Sequence, residues 1–292
     1  MSNLQSNKSI KKTPPCLLVV LAHPDDETFG MGGTLAWYAS LGVQVRLVCA
    51  TRGEAGEVDS NMLKEFKSVA DLRTHELDCA ARILGLSSVD FLGYRDSGMQ
   101  GSVENQHPDC LYQASLEEVE RKIVVLIKQY QPQVVVTFDP SGGYCHPDHI
   151  KINRATEKAF FSFYENPANC KNAHYRPQKL YFHTMPVGKF KYLVKIMPLL
   201  GKDPTKFGKN KDIDITQIVA HEYPIHAVIN YSAVEKKRAL AAACHASQGG
   251  GQEANPLLRL MNHFSGKKDT YMRAYPPSAH GWIEKDLFAG IE

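Results

Sequence analysis

The chain has 292 residues, of which 43% are hydrophobic and 22% are charged, and its formal net charge is +3. This composition allows one sizeable hydrophobic core and excludes a globally disordered chain. The charge is weak and no run alternates basic with aromatic residues, so we expect no nucleic-acid partner.

The chain begins with a polar stretch, residues 1–15, that is predicted to be a flexible leader. The apolar run behind it is short and lacks a small-residue cleavage site, so it does not resemble a signal peptide. No apolar run approaches the ~20 residues needed to span a bilayer. We therefore expect a soluble, cytoplasmic protein with no membrane partner.

Strands and helices alternate through the next 150 or so residues, a pattern that predicts an α/β fold with a Rossmann-like, doubly wound and mostly parallel sheet. Gly85 is expected to end the second helix, and the capping box that starts at Ser115 is expected to open the third. The predicted strands cover residues 16–22, 43–50, 88–92 and 133–138, and the predicted helices cover residues 32–41, 68–84, 115–130 and 149–165.

Beyond residue 176 the pattern weakens, with strands predicted over 179–184 and 226–231 and a helix over 235–246. We expect residues 16–175 to form the Rossmann-like catalytic core. Residues 176–292 would then be a smaller C-terminal α/β extension that completes the site within the same domain. The lysine-rich segment 186–214 is either a solvated excursion, the favoured interpretation, or a lid.

The seven cysteines are odd in number and irregularly spaced, and no CxxC pair occurs. This usage is typical of a reduced cytosolic protein rather than of a disulfide framework.

Polar loops follow all four predicted parallel strands, and two of them are rich in metal ligands. The sequence AHPDDE occupies residues 22–27 after the first strand, and HPDH occupies residues 146–149 after the fourth. Ligands of open α/β sheets bind at the carboxyl ends of the strands. Carboxylates are costly to bury there unless a cation compensates them. The two motifs therefore predict one metal site.

Two imidazoles and one carboxylate suit a divalent cation with an open coordination position, and His23, Asp26 and His149 are the predicted ligands. Zn²⁺ is the default, and Fe²⁺ accepts the same ligand set. A third HPD, at residues 107–109, follows no apolar strand and is expected to be an ordinary turn.

The neighbours of these ligands supply candidate catalytic groups. Asp25 could take a proton from the attacking water, or could instead cap the following helix. His146 could be protonated and assist the leaving group or an oxyanion, with Asp148 orienting it. Tyr144 follows two glycines and could stabilise an oxyanion, or could be a half-buried loop aromatic.

These motifs resemble those of the PIG-L/LmbE family of metal-dependent N-acetylglucosaminyl deacetylases. The resemblance is greatest to the bacterial branch that acts on GlcNAc-inositol or GlcNAc-malate in low-molecular-weight thiol synthesis. It rests on AHPDDE and HPDH together with GEAGE at 53–57, RTHEL at 73–77, RDSGM at 95–99, GGY at 142–144, KRAL at 237–240 and HASQ at 245–248.

The resemblance implies that His23, Asp26 and His149 bind the metal and that Asp25 is the general base. It implies the same roles for the other candidate catalytic groups, His146, Tyr144 and Asp148. It also implies that Arg73 and Asp96 bind the sugar or its aglycone, and Glu57 is a third substrate-binding candidate. From the residues alone, Arg73 could equally be a charge on a helix surface. Cys145 stands where the family leads us to expect glycine.

We therefore expect a metal-dependent deacetylase that converts an N-acetylglucosamine-containing small molecule to free amine and acetate. One alternative is an amidase or deacylase of a thiol conjugate, antibiotic or oligosaccharide with the same metal site. Another is a non-catalytic Rossmann-like sugar- or nucleotide-binding protein, although no GxGxxG follows the first strand. A phosphoesterase would usually need two metals. The sequence is compatible with a homo-oligomer and does not determine the oligomeric state.

Overall fold

The structure is a computed structural model that describes residues 14–169, 175–188, 190–206, 214–251, 266–278 and 281–291. The leader predicted over residues 1–15 lies outside the described residues except for its last two.

One seven-stranded sheet runs through the described chain, with the strand order β3-β2-β1-β4-β5-β7-β6. The first five strands are parallel to one another, and β7 lies antiparallel to both β5 and β6. The strands are β1 (Cys16–Leu21), β2 (Gln44–Cys49), β3 (Ser88–Phe91), β4 (Val134–Phe138), β5 (Lys179–Thr184), β6 (Ala227–Asn230) and β7 (Lys268–Tyr275).

Helices connect the parallel strands and cover the sheet. They are α1 (Asp26–Ser40), α2 (Val69–Leu84), α3 (Leu116–Tyr130), a single distorted turn α4 (Gly142–Cys145), α5 (Pro147–Glu165), α6 (Phe190–Ile196), α7 (Ile215–Ala220) and α8 (Glu235–Cys244). No helix of the described residues is both long and apolar enough to cross a membrane.

The α/β prediction is confirmed, and several helix ends lie where the sequence placed them. Gly85 ends α2 with φ 84°, and the Ser115 hydroxyl accepts the Glu118 N–H at the start of α3. The first helix begins earlier than predicted, at Asp26, and is interrupted at Met31. The predicted start at residue 32 thus marks the second part of a kinked helix.

The central strands are buried throughout, because every residue of β1 and β4 is apolar or threonine and both faces are covered. β1 lies between β2 and β4. The chain therefore builds the sheet on one side of β1 with β2 and β3, and then crosses to its other side at β4. This arrangement creates a crevice at the carboxyl ends of β1 and β4, which is the usual ligand site of such sheets.

The strand β7 was not predicted, and it joins β6 to the same sheet as the first five strands. The division into core and extension stays a prediction, since one continuous sheet contains both parts.

A disulfide joins Cys79 in α2 to Cys244 at the end of α8, across 165 residues of sequence. The prediction of a fully reduced chain is therefore wrong for this pair. Irregular spacing could not reveal it, since the packing of α2 against α8 brings the two cysteines together. Among the other cysteines, Cys16, Cys49, Cys110 and Cys145 are free and Cys170 lies outside the described residues.

Candidate metal centre

The two ligand-rich motifs meet at the carboxyl ends of β1 and β4. His23 Nδ1 lies 3.2 Å from His149 Nε2, and His149 Nε2 lies 3.3 Å from an oxygen of Asp26. The other oxygen of Asp26 lies 3.6 Å from His23 Nδ1. The structure therefore brings the three predicted ligands together, although 123 residues separate Asp26 from His149.

Local contacts turn His149 toward this point. Its Nδ1 lies 3.1 Å from the carbonyl oxygen of Gly142, which fixes the proton on Nδ1 and leaves the Nε2 lone pair facing His23. The ring stacks on Phe138 at 3.9 Å between centroids. Gly142 has φ 69°, and a Cβ there would lie 2.9 Å from the His149 Cβ, so the close approach requires glycine.

His23 is oriented by carboxylates on its far side. Its Nε2 lies 3.1 Å from Asp148 Oδ2 and 3.3 Å from Asp96 Oδ1, so Nε2 donates and Nδ1 faces the other ligands. Burial opposes protonation of His23, but Asp96, Asp148 and Asp26 together hold its pKa well above the usual value. Protonated His23 thus compensates a buried anionic cluster when no other cation does so.

The donor set fits a divalent metal. Tetrahedral coordination with bonds of ~2.0–2.1 Å places ligand atoms about 3.3 Å apart, close to the observed separations. His23, His146 and His149 also form a possible metal-ligating group, with donor atoms within 4.8 Å of one another. The two oxygens of Asp26 lie 3.3 Å from His149 Nε2 and 3.6 Å from His23 Nδ1. Burial raises the pKa of Asp26 to about 6, a cost that a cation would remove.

Asp25 lies beside the ligands in an unusual backbone conformation. Its φ is 121°, a region that costs a non-glycine residue roughly 1–3 kcal/mol, and its side chain makes no capping hydrogen bond to α1. The alternative of a helix-capping carboxylate is therefore not realised. Instead, Arg73 Nη2 donates to Asp25 Oδ2 at 3.1 Å. Burial raises the pKa of Asp25 to about 7, although Arg73 works to lower it.

Arg73 is buried rather than a helix-surface charge, with 4% of its surface exposed. Besides Asp25, it donates to the carbonyl oxygens of Pro24 at 2.6 Å and Gly53 at 3.0 Å. Gly53 has φ 71°, and a Cβ on it would lie 2.1 Å from the guanidinium. Arg73 therefore ties the loop after β2 to the loop that carries Asp25.

One contact in the HPDH motif, residues 146–149, differs from the contact that the sequence predicts. Asp148 was expected to orient His146 with its carboxylate. The structure places that carboxylate on His23 and on the Ser97 N–H, while the Asp148 backbone N–H donates to His146 Nδ1 at 3.2 Å. His146 thus keeps its Nε2–H free to donate. Burial and the charge of His23 hold the pKa of His146 well below its usual value.

Tyr144 lies at the rim of the site, 4.9 Å from His149 between ring centroids. Burial and the nearby carboxylates raise its pKa well above the usual value, so the hydroxyl stays protonated. Tyr144 also packs against a small apolar cluster formed by Val187, Val194, Met197, Ile215 and Ile218. Within the described part of the lysine-rich segment, Val187, Val194 and Met197 are therefore packed in a cluster that contacts Tyr144, while most of the other residues are exposed.

The predicted substrate-binding residues divide into two groups. Asp96 is buried, contacts His23, and lies 3.9 Å from Arg73. Glu57 is exposed, and its neighbour Glu54 instead reaches the cluster by accepting the Asp96 N–H at 3.0 Å. The HPD at residues 107–109 forms the expected turn, in which His107 Nδ1 accepts the Asp109 N–H at 3.2 Å.

Sequence reasoning gave no role to a second layer of buried polar contacts behind the site. Glu27 Oε1 lies 2.7 Å from His245 Nε2, and both side chains are fully buried. The Glu76 carboxylate accepts the N–H and hydroxyl of Ser247 at 2.7 Å and 2.6 Å. The sequence signals were the final residue of AHPDDE, the glutamate of RTHEL and the HASQ segment, and none of them indicates a pairing.

The profile of the PIG-L family, described as "GlcNAc-PI de-N-acetylase", matches residues 18–160. A relative in Acidothermus cellulolyticus is named "1D-myo-inositol 2-acetamido-2-deoxy-alpha-D-glucopyranoside deacetylase". It is 35% identical over 292 residues, which cover 94% of this chain and 95% of the relative.

Two solved structures share the fold at low sequence identity. An N,N'-diacetylchitobiose deacetylase from Pyrococcus horikoshii has a TM-score of 0.60 at 20% identity, covering 90% of this chain and 84% of its own. GalB, a 4-carboxy-2-hydroxymuconate hydratase from Pseudomonas putida, has a TM-score of 0.59 at 19% identity, covering 91% and 98%. Because these names describe different reactions, the fold alone does not decide the chemistry.

Proposed function

Because the chain belongs to the PIG-L family, we propose that it is a metal-dependent deacetylase that hydrolyses the N-acetyl group of N-acetylglucosamine linked to inositol. Removal of acetyl from an N-acetylglucosamine-containing small molecule follows the family and its near full-length relatives. The inositol aglycone is the finer part of the proposal, and it is supported by the name of the Acidothermus cellulolyticus relative.

The observation that carries the proposal is the convergence of His23 Nδ1, His149 Nε2 and the Asp26 carboxylate within 3.2–3.6 Å. We assign these three residues as the metal ligands. They would hold a divalent cation, whose bound form would supply Lewis-acid chemistry toward the acetyl carbonyl and toward water. Zn²⁺ is the proposed metal and Fe²⁺ the alternative, since both accept two imidazoles and a carboxylate.

Asp25 is the proposed general base. Its carboxylate is adjacent to the ligands, and a pKa of about 7 suits a group that accepts a proton and later returns it. Arg73 holds the carboxylate on one side and leaves its other oxygen for water. After attack, protonated Asp25 can donate to the departing amine.

His146 and Tyr144 are the proposed donors to the developing oxyanion. His146 accepts a backbone N–H at Nδ1, so its neutral form donates from Nε2. Its low pKa favours that neutral form, and we therefore assign amine protonation to Asp25 rather than to His146. The high pKa of Tyr144 keeps its hydroxyl a donor. Asp148 acts through His23, and Arg73 and Asp96 are proposed to border the sugar.

The test is acetate release from GlcNAc-inositol, GlcNAc-malate and free GlcNAc by protein loaded with Zn²⁺ or Fe²⁺. We expect the highest kcat/KM on GlcNAc-inositol. The variant His149→Ala should lose both bound metal and activity. Preference for GlcNAc-malate would overturn the inositol assignment, and no acetate release from any of the three would overturn the deacetylase proposal.

A further inference from the structure

A buried acid and a buried histidine from distant parts of the chain meet directly behind Asp25. Glu27 lies in the first turn of α1, and His245 follows the last residue of α8. Their side chains are both 0% exposed, and Glu27 Oε1 lies 2.7 Å from His245 Nε2. Neither side chain can reach substrate, so their contact is not part of the catalytic machinery.

The second oxygen of Glu27 acts on the backbone of the general base. Glu27 Oε2 accepts the N–H of Asp25 at 2.9 Å. This N–H belongs to a residue with φ 121°, where a side chain other than glycine is disfavoured. A carboxylate that accepts a backbone N–H forms one of the stronger hydrogen bonds in proteins. Glu27 is therefore placed to hold Asp25 in this conformation.

His245 in turn fixes the other end of the Glu27 carboxylate, which the Thr28 hydroxyl also contacts. A carboxylate bound at both oxygens cannot rotate away from the Asp25 N–H. In this backbone conformation the carboxylate of Asp25 accepts from Arg73 Nη2 at 3.1 Å.

The segment that carries His245 is anchored on both sides. Cys244, immediately before it, is joined to Cys79 of α2. Ser247, two residues after it, donates twice to Glu76 of the same helix. The imidazole is thus delivered to Glu27 at a fixed position by two contacts that do not involve the metal ligands.

We propose that Glu27 and His245 form a positioning pair, in which the C-terminal part of the chain holds the general base Asp25 in its strained conformation. The role of Asp25 as base rests on the proposed function, whereas the control of its backbone does not.

The experiment compares His245→Ala, His245→Gln and Ser247→Ala with the wild type. His245→Ala removes the partner of Glu27, whereas the glutamine amide nitrogen can replace Nε2. Ser247→Ala is the matched control, because it removes one buried hydrogen bond of the same segment while the disulfide and the backbone N–H of residue 247 still anchor His245. Crystal structures report the φ of Asp25, and kinetics with bound-metal analysis report its effect on turnover.

In His245→Ala we expect Asp25 to leave the left-handed region of φ. We also expect kcat to fall about 10–100-fold, with KM changed less than about threefold and metal content unchanged. His245→Gln should restore both the φ and most of kcat. Ser247→Ala should lower Tm by a few degrees, about the effect of one lost buried hydrogen bond, with kcat close to wild type.

The proposal is overturned if Asp25 keeps its φ and its contact with Arg73 in the crystal structure of His245→Ala. It is also overturned if kcat stays within about twofold of wild type, or if His245→Gln is as impaired as His245→Ala. If wild-type protein releases no acetate, the deacetylase proposal fails by itself, and the φ of Asp25 in His245→Ala alone decides the positioning role.

Discussion

The parallel and antiparallel parts of the sheet contribute differently to the candidate site. The loops and first helical turns that directly follow β1 and β4 supply every proposed ligand and catalytic side chain. The region from β5 onward supplies supports: His245 behind Glu27, Ser247 on Glu76, and an apolar cluster against Tyr144. The comparison teaches that the chemistry of this molecule comes from the parallel part of the chain, whereas its supports come from both parts, with Arg73 and Asp148 in the first and His245 in the second.

The sharpest test of this division is Asp25→Asn in the loop after β1. The amide cannot accept a proton from water, so we expect kcat to fall by about 10²–10⁴. Metal content should be unchanged, because Asp25 is not a proposed ligand. The matched control is Asp109→Asn in the exposed HPD turn, which should retain full activity. Near-normal turnover by metal-loaded Asp25→Asn would contradict the assignment of Asp25 as the general base.

The second test concerns the metal and pH. Burial raises the pKa of Asp26 to about 6, and neighbouring carboxylates hold that of His23 well above its usual value despite burial. A cation must therefore displace protons from both residues at low pH but from fewer at high pH. We expect the apparent affinity for Zn²⁺ to be at least about tenfold higher at about pH 8 than at about pH 5.5.

Isothermal titration calorimetry on metal-free protein, in buffers of different ionisation enthalpy, measures both the affinity and the protons released. The variant His149→Ala should bind weakly at both pH values. An affinity that does not change with pH in the wild type would contradict the assignment of His23 and Asp26 as ligands.

The smallest effect on catalysis is expected where α2 and α8 are joined, because the two Ser247 hydrogen bonds to Glu76 still anchor the His245 segment when the disulfide is absent. Cys79→Ala removes the disulfide between α2 and α8, which closes a long loop, and should lower the free energy of unfolding by about 2–5 kcal/mol. Chemical denaturation measures this loss. Cys145→Ser, which alters a free cysteine, is the control and should change stability much less. A loss of metal binding in Cys79→Ala would mean that the C-terminal part also builds the metal centre.

The sequence was sufficient for the parallel part of the molecule because its signals are local. Each buried strand is a continuous apolar run, and the polar residues that lie at its carboxyl end follow it directly in the sequence. The convergence of His23, Asp26 and His149 could be predicted from AHPDDE and HPDH, since neighbouring parallel strands must bring their loops together.

The supports could not be predicted in this way. The contact of Glu27 with His245 spans 218 residues, and no periodicity or spacing relates the two positions. The same limit applies to the disulfide and to the carboxylate of Asp148, which contacts His23 rather than its sequence neighbour His146. Local motifs identify chemical groups, whereas tertiary packing decides which groups face one another.

The three HPD tripeptides illustrate that limit. His107 and His146 each accept, at Nδ1, the backbone N–H of the aspartate two residues later. Of these two histidines, only His146 lies among buried carboxylates and imidazoles. The preceding apolar strand, and not the tripeptide, distinguished them in the sequence.

The close approach of the Arg73 guanidinium to Gly53 has a consequence for mutational scanning of this enzyme. The guanidinium of Arg73 occupies the volume that any larger side chain at position 53 would fill. Residue 53 offers no functional group, yet every replacement there should displace Arg73 and score as an inactivating change. A saturation library would therefore report this backbone position as intolerant, and libraries intended to broaden substrate range should leave it invariant.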